Sequence, residues 1–127
     1  MARELTVLLK DQPGSLAEFN AVLVDANLEV IGYSGYSRED HGVVHLLVTE
    51  IETARAALER SGFQVRGDRE VYLSKMGNDL AAGATLWRRI ADSGANVDLF
   101  YFTGDGRLVI GVDRIDLVRE ALGYESA

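Results

Sequence analysis

Four residue pairs, each 68 positions apart, constrain this chain more than any other feature: Asp11 and Asp79, Phe19 and Trp87, Val22 and Ile90, Tyr33 and Tyr101. Within each pair the two residues hold the same place in a pattern of loop, helix and strand. A single offset that serves all three kinds of segment marks an internal duplication. The 127 residues therefore divide into two very small units rather than one larger layered domain.

The pattern of each unit follows from its apolar spacing. Leu5, Val7 and Leu9 alternate with their neighbours as in a half-buried strand, which stops at Asp11-Gln12-Pro13-Gly14. From Ser15 the period lengthens: Leu16, Phe19, Val22, Leu23 and Ala26 lie on one face of a three-turn helix ended by Asn27. Leu28 to Tyr36 and Val43 to Val48 read as strands on either side of a polar turn. Thr49 and Glu52 have the spacing of a capping box for a helix burying Ile51, Ala54, Ala57 and Leu58, closed by Gly62. A short strand, Phe63 to Val65, completes βαββαβ. The second pass runs through a strand at Val71 and Leu73, a helix carrying Leu80, Ala84, Trp87, Ile90 and Ala91, and strands at 97–102 and 108–112. It ends in a helix with Ile115, Val118 and Leu122, for which Asp113 has the position of a cap and Gly123 that of a stop.

The predicted fold is α+β: a ferredoxin-like βαββαβ unit repeated twice, the second repeat without its last strand, with an antiparallel sheet and helices on one face. The units are predicted as 1–67 and 68–127, the break falling near Gly67-Asp68. The missing strand would leave a sheet edge, through which two copies could pair as a homodimer.

Charge and composition exclude several classes. With a net charge of −7 and scattered basic residues, the chain lacks the cationic face that nucleic acid or an anionic membrane requires. No cysteine is present, which removes disulfides, thiolate catalysis and Cys-ligated zinc, and a cytoplasmic location is the simplest expectation. No apolar run approaches the roughly 20 residues that span a bilayer. His41 and His45 are four apart, but along a strand that spacing separates them by ~13 Å, so no metal site is expected. No P-loop, no Gly-x-Ser-x-Gly and no acidic residue in an apolar setting is apparent. Neither an enzyme nor a cofactor is expected.

The most informative stretch is Asp11-Gln12-Pro13-Gly14-Ser15-Leu16-Ala17. Proline fixes one backbone angle and glycine permits close approach, while the first-turn N–H groups of the following helix make a seat for a carboxylate. By itself this is also simply a well-built helix start, with Ser15 or Asp11 as cap. Asp-x-Pro-Gly-x-Leu-Ala, then a helix, then Asn27-Leu28-Glu29-Val30-Ile31 and a strand, resembles the ACT domain family of regulatory βαββαβ modules that bind amino acids or other small effectors. Asp40 to Val48 resembles that family's third strand with its preceding turn, and the likeness extends from Glu4 to Leu122. The nearest type is a small stand-alone protein of two such units.

The resemblance implies a non-catalytic regulatory module with a small effector, an amino acid, held at the interface of ACT-like units. It nominates Asp11, Gln12, Pro13, Gly14, Ser15 and Leu16, facing Ile31, Gly32, Tyr33 and Ser34. N–H groups near Gly14 to Leu16 would take the carboxylate and Asp11 the ammonium. Tyr33, Tyr36 and Tyr101 are either pocket walls or sheet packing. In the second copy, Met76 to Gly83 replaces the Pro-Gly loop, leaving Asp79 as a helix cap and one competent loop per chain. The alternative is a regulatory subunit that acts on a separate metabolic enzyme by protein contact and binds no ligand itself.

Overall fold

The computed structural model describes residues 2–76 and 79–123. Its elements, in chain order, are β1 (Ala2–Lys10), α1 (Ser15–Asp25), β2 (Val30–Arg38), β3 (His41–Val48), α2 (Ile51–Arg60), β4 (Gln64–Ser74), α3 (Leu80–Ser93), β5 (Val97–Phe102), β6 (Leu108–Val112) and α4 (Ile115–Leu122). The α+β, ferredoxin-like pattern predicted from the sequence is the one found. Among the described residues no strand follows α4.

The chain divides into two compact units, Arg3–Arg69 and Glu70 onward together with Ala2. In the first, the strand order is β2-β3-β1-β4, and in the second β4-β6-β5. The fourth strand is much longer than expected. Phe63 to Val65 and Val71 to Leu73 were each predicted to start or finish a separate strand; instead β4 is a single strand of 11 residues that passes through Gly67 and Asp68. Among the described residues, β2 is an edge strand of the first unit and β5 an edge strand of the second.

Register explains which side chains meet. In the first unit, Leu5 faces Leu46 and Val7 faces Val44 across β1 and β3; Tyr33 faces Leu46 and Gly35 faces Val44 across β2 and β3. Directly opposed residues share a face. Leu5, Val7, Leu9, Val44, Leu46 and Val48 pack on Phe19 and Leu23 of α1 and on Ala54 and Leu58 of α2. Phe19 is fully buried and meets Phe63 edge to face, with ring centroids 5.8 Å apart. The second unit has its own core of Tyr72, Ile90, Leu108, Ile110, Val112 and Val118, on which Trp87 packs half-buried.

Two caps differ from expectation. Helix α2 starts at Ile51 with Glu50 at its cap position and no side-chain cap, so Thr49 lies one residue too early for a box, and Glu52 pairs with Arg55 at 3.6 Å instead. Helix α4 likewise lacks a side-chain cap: Asp113 accepts the Asn96 N–H at 2.8 Å and ties the end of β6 to the α3–β5 loop. Asp79 does cap α3, accepting from the N–H groups of Ala81 and Ala82 at 3.0 and 3.2 Å. Gly62 and Gly123 close their helices at positive φ, as expected.

Candidate functional site

The β1–α1 corner is built by a sharp local geometry. After β1 the Gln12 N–H donates to the Lys10 carbonyl at 3.0 Å, and the Ser15 N–H donates to the Gln12 carbonyl at 3.3 Å. Gly14 occupies the cap position at φ 91°, a left-handed conformation costly for any other L-residue. A glycine has no side chain to offer, and α1 has no side-chain cap. The expectation that Ser15 or Asp11 caps the helix is thus corrected. Ser15 is already inside the first turn, and Asp11 turns toward β2, where its carboxylate accepts from the Ser37 hydroxyl at 3.1 Å. The Ser15 N–H is spent on the turn, which leaves those of Leu16 and Ala17 as the uncapped donors.

Beside this corner lies a cavity of roughly 350 Å³, within the range of small-ligand pockets (~300–1,000 Å³). Its origin lies in the register. Gly35 lies opposite Val44, and the next row on the same face places Gly42 between Leu9 and Ser37. Two neighbouring rows each lack a side chain, so the sheet beneath the start of α1 is hollowed. Of the ten residues nominated from sequence, Asp11, Gln12, Ser15, Leu16 and Tyr33 line this groove; Pro13, Gly14, Ile31, Gly32 and Ser34 do not. Pro13 and Gly14 shape the turn. Gly32 is buried, and Ser34 points to the opposite face, across from His45. Tyr36 lines the groove, whereas Tyr101 is buried in β5 of the other unit.

Two residues that matter were missed. Gly35 stood in the sequence as a glycine inside a strand, a recognised sign of close approach by a ligand or another backbone. Glu4 is completely buried, which the sequence reading did not anticipate. Its carboxylate lies 3.1 Å from His45 Nδ1 and 3.9 Å from Arg69 Nε, and Tyr36 stacks on the imidazole at 6.0 Å. Alternation along β1 sets Glu4 opposite in direction to Leu5 and Val7, on the side a half-buried strand ordinarily gives to water. That pattern gave no warning of burial.

A second, more polar cavity of roughly 820 Å³ adjoins the first and shares with it Leu9, Lys10, Asp11, Gln12 and Ser15. A third, of roughly 520 Å³, lies in the other unit beside Trp87 and Phe100, whose rings meet at 5.5 Å. Among the described residues no group of three or more His, Cys, Asp or Glu could hold a metal ion, and no helix is long and apolar enough to cross a membrane.

No family model matches the chain, and no curated protein does. Solved structures do. Protein BT0572 from Bacteroides thetaiotaomicron superposes with a TM-score of 0.85 at 23% identity, over 95% of this chain and 85% of that one. The ligand-free regulatory subunit of aspartate kinase from Thermus thermophilus superposes with a TM-score of 0.66 at 16% identity, over 95% and 93%. The corresponding regulatory subunit from Thermus flavus gives 0.64 at 15%, over 94% and 89%. At these identities the likeness is one of fold, and it agrees with the fold that the sequence resemblance implied.

Proposed function

We propose, from an ACT-like fold with one open corner, that this chain is a non-catalytic, cytoplasmic regulatory module that binds an amino acid effector. The observation that carries the reading is the conjunction at β1–α1: a helix start with no side chain on its first-turn N–H groups, beside a groove with Lys10 and Asp11 at one end. The effector carboxylate is assigned to Lys10 and the N–H groups of Leu16 and Ala17, where the helix dipole favours negative charge. Its ammonium is assigned to Asp11, whose carboxylate has acceptor capacity beyond the Ser37 bond. Tyr33 and Tyr36 are about half exposed on edge strand β2, and a second copy pairing there would cover the groove. A homodimer through β2 is therefore part of the proposal.

A thermal-shift screen of the full chain against the twenty amino acids tests this reading. A ligand at 100 times its Kd stabilises by about 2.7 kcal/mol, a shift of several degrees. No shift with any amino acid would remove the proposal.

One observation favours a second role for a different surface. Phe100 and Phe102 are exposed on edge strand β5. Large exposed apolar side chains beside a free edge suit contact with a partner protein, and two of the fold neighbours are regulatory subunits of a kinase. Regulation of a separate metabolic enzyme through β5 predicts that Phe100→Asp abolishes association with that enzyme while effector binding at the other unit persists. Association unaffected by this variant would exclude β5.

A further inference from the structure

We propose that the β1–α1 groove selects an amino acid with a bulky apolar side chain, and that Gly35 sets how large that side chain can be. The inference rests on the effector reading above and narrows it to a chemical class.

Charge is confined to one end of the groove. Lys10 and Asp11 are the charged residues that line it, and both belong to the wall shared with the larger polar cavity. They are consecutive residues of opposite charge, a complement for the two ends of a zwitterion. Away from that shared wall, to which Gln12 and Ser15 also belong, the lining is Leu16, Tyr33, Tyr36, Val43 and Val44, none of them charged, while the Ser37 hydroxyl is bonded to Asp11. A carboxylate or ammonium carried into that part would lose water and find no counter-charge, which is costly. An aliphatic or aromatic side chain would instead remove its own surface, and that of the half-exposed Leu16 and Tyr33, from water.

The depth of the groove depends on a missing side chain. A Cβ built on Gly35 would meet the Val43 carbonyl and Val44 Cγ2 at 3.6 Å each, an ordinary contact, and Gly35 does not adopt the left-handed conformation. The strand therefore tolerates a larger residue here, and that residue would occupy the floor of the groove. Gly35 is needed for volume, not for backbone shape.

Calorimetric titration of the full chain with glycine, alanine, valine, leucine, phenylalanine, aspartate and lysine tests the inference. Leucine is expected to bind about ten-fold or more tightly than alanine, from the apolar carbons added, with aspartate and lysine weaker than alanine. Gly35→Val is expected to lose at least ten-fold in affinity for leucine and phenylalanine while holding alanine within a few-fold. Leu16→Ala, at an exposed position that leaves the core untouched, should weaken leucine several-fold and alanine little; it secures the test if Gly35→Val fails to fold. Aspartate or lysine binding as tightly as leucine would overturn the selectivity. Equal loss for all ligands in a folded Gly35→Val protein would overturn the role of Gly35. In both cases the effector reading would stand, whereas no binding by any amino acid would take it down as well.

Discussion

At the first corner α1 begins at Ser15, behind Pro13 and Gly14, with its leading N–H groups uncapped; at the second, α3 begins at Leu80 with the Asp79 carboxylate on the N–H groups of Ala81 and Ala82. The helices end at Asp25 and Ser93, still 68 residues apart, so the extra length of α3 (14 residues against 11) is all at its front. Leu80, Ala81 and Ala82 stand where the first copy has Gln12, Pro13 and Gly14. Two alanines wind readily into a helix; glycine costs about 1 kcal/mol and an interior proline about 3 kcal/mol relative to alanine. Three substitutions thus turn a loop into a helical turn, and the aspartate that is free for β2 in one copy becomes a cap in the other. Space is also used differently. Met76 Cε lies only 3.0 Å from where a Cβ on buried Gly83 would stand, so the Met76 side chain packs against the start of α3. The same duplicated frame gives an uncapped helix start and a capped one.

The comparison can be strained first at its common centre. Phe19 and Trp87 occupy matching helix positions, but Phe19 is fully buried whereas Trp87 is half-buried. Phe19→Ala should cost about 3–5 kcal/mol in urea unfolding, and Trp87→Ala clearly less. Equal losses would show that the two cores are not differently packed. The corner glycine comes next. Gly14→Ala forces a left-handed alanine and should cost about 1–2 kcal/mol, although a Cβ there meets no atom within 4 Å. If thermal denaturation shows no loss, the turn has another accessible conformation. Asp79→Ala, which strips the α3 cap, should cost about 1 kcal/mol, whereas Asp11→Ala should leave stability nearly unchanged and weaken effector binding. The opposite ranking would mean that the two aspartates have been assigned the wrong way round.

How far these differences could be read from residues alone depended on the kind of signal. Apolar periodicity located the strands of the first unit and both duplicated helices, because burying one face is a demand on every third or fourth residue and survives small errors of register. The uncapped start of α1 and the capped start of α3 were half legible: Asp79 was read correctly, Asp11 and Ser15 were not. Caps depend on where a helix begins to within one residue, which also defeated Thr49 and Asp113. Fusion of two short apolar stretches into β4 was hidden by the polar run Arg66-Gly67-Asp68-Arg69, in which Asp68 and Arg69 form ion pairs within a strand instead of marking a turn. The groove itself arises from Gly35 and Gly42 in adjacent rows on β2 and β3, a juxtaposition that no reading of one strand at a time reveals.

The smallest effect expected concerns those charges. Asp68 hydrogen-bonds Arg3 and also pairs with Arg55, linking β1, α2 and β4; the Arg3 bond, reinforced by both positive charges, holds its carboxyl below the usual 3.8. In the other unit the Arg107 side chain, with the Thr103 hydroxyl, holds Asp105 at about 2. A carboxyl whose pKa is lower folded than unfolded contributes stability above the unfolded value, and the contribution is lost as pH falls through the folded value. Acid titration should therefore weaken the folded chain below about pH 4, with the Asp105 contribution persisting toward pH 2. Asp68→Asn should remove part of that acid dependence at a cost of about 1 kcal/mol or less at neutral pH. An unaltered acid profile in Asp68→Asn would show that the paired arginines do not stabilise the first unit.

The extra turn of α3 has a numerical consequence. On the proposed effector reading, with the first-turn N–H groups of α3 already taken by Asp79, each polypeptide would bind a single molecule, and occupancy should rise along a simple hyperbola with an endpoint of one per chain. Any sigmoid shape in the isotherm would then have to originate in coupling between copies, not between the repeats of one copy, so the curvature of a saturation experiment would report on assembly.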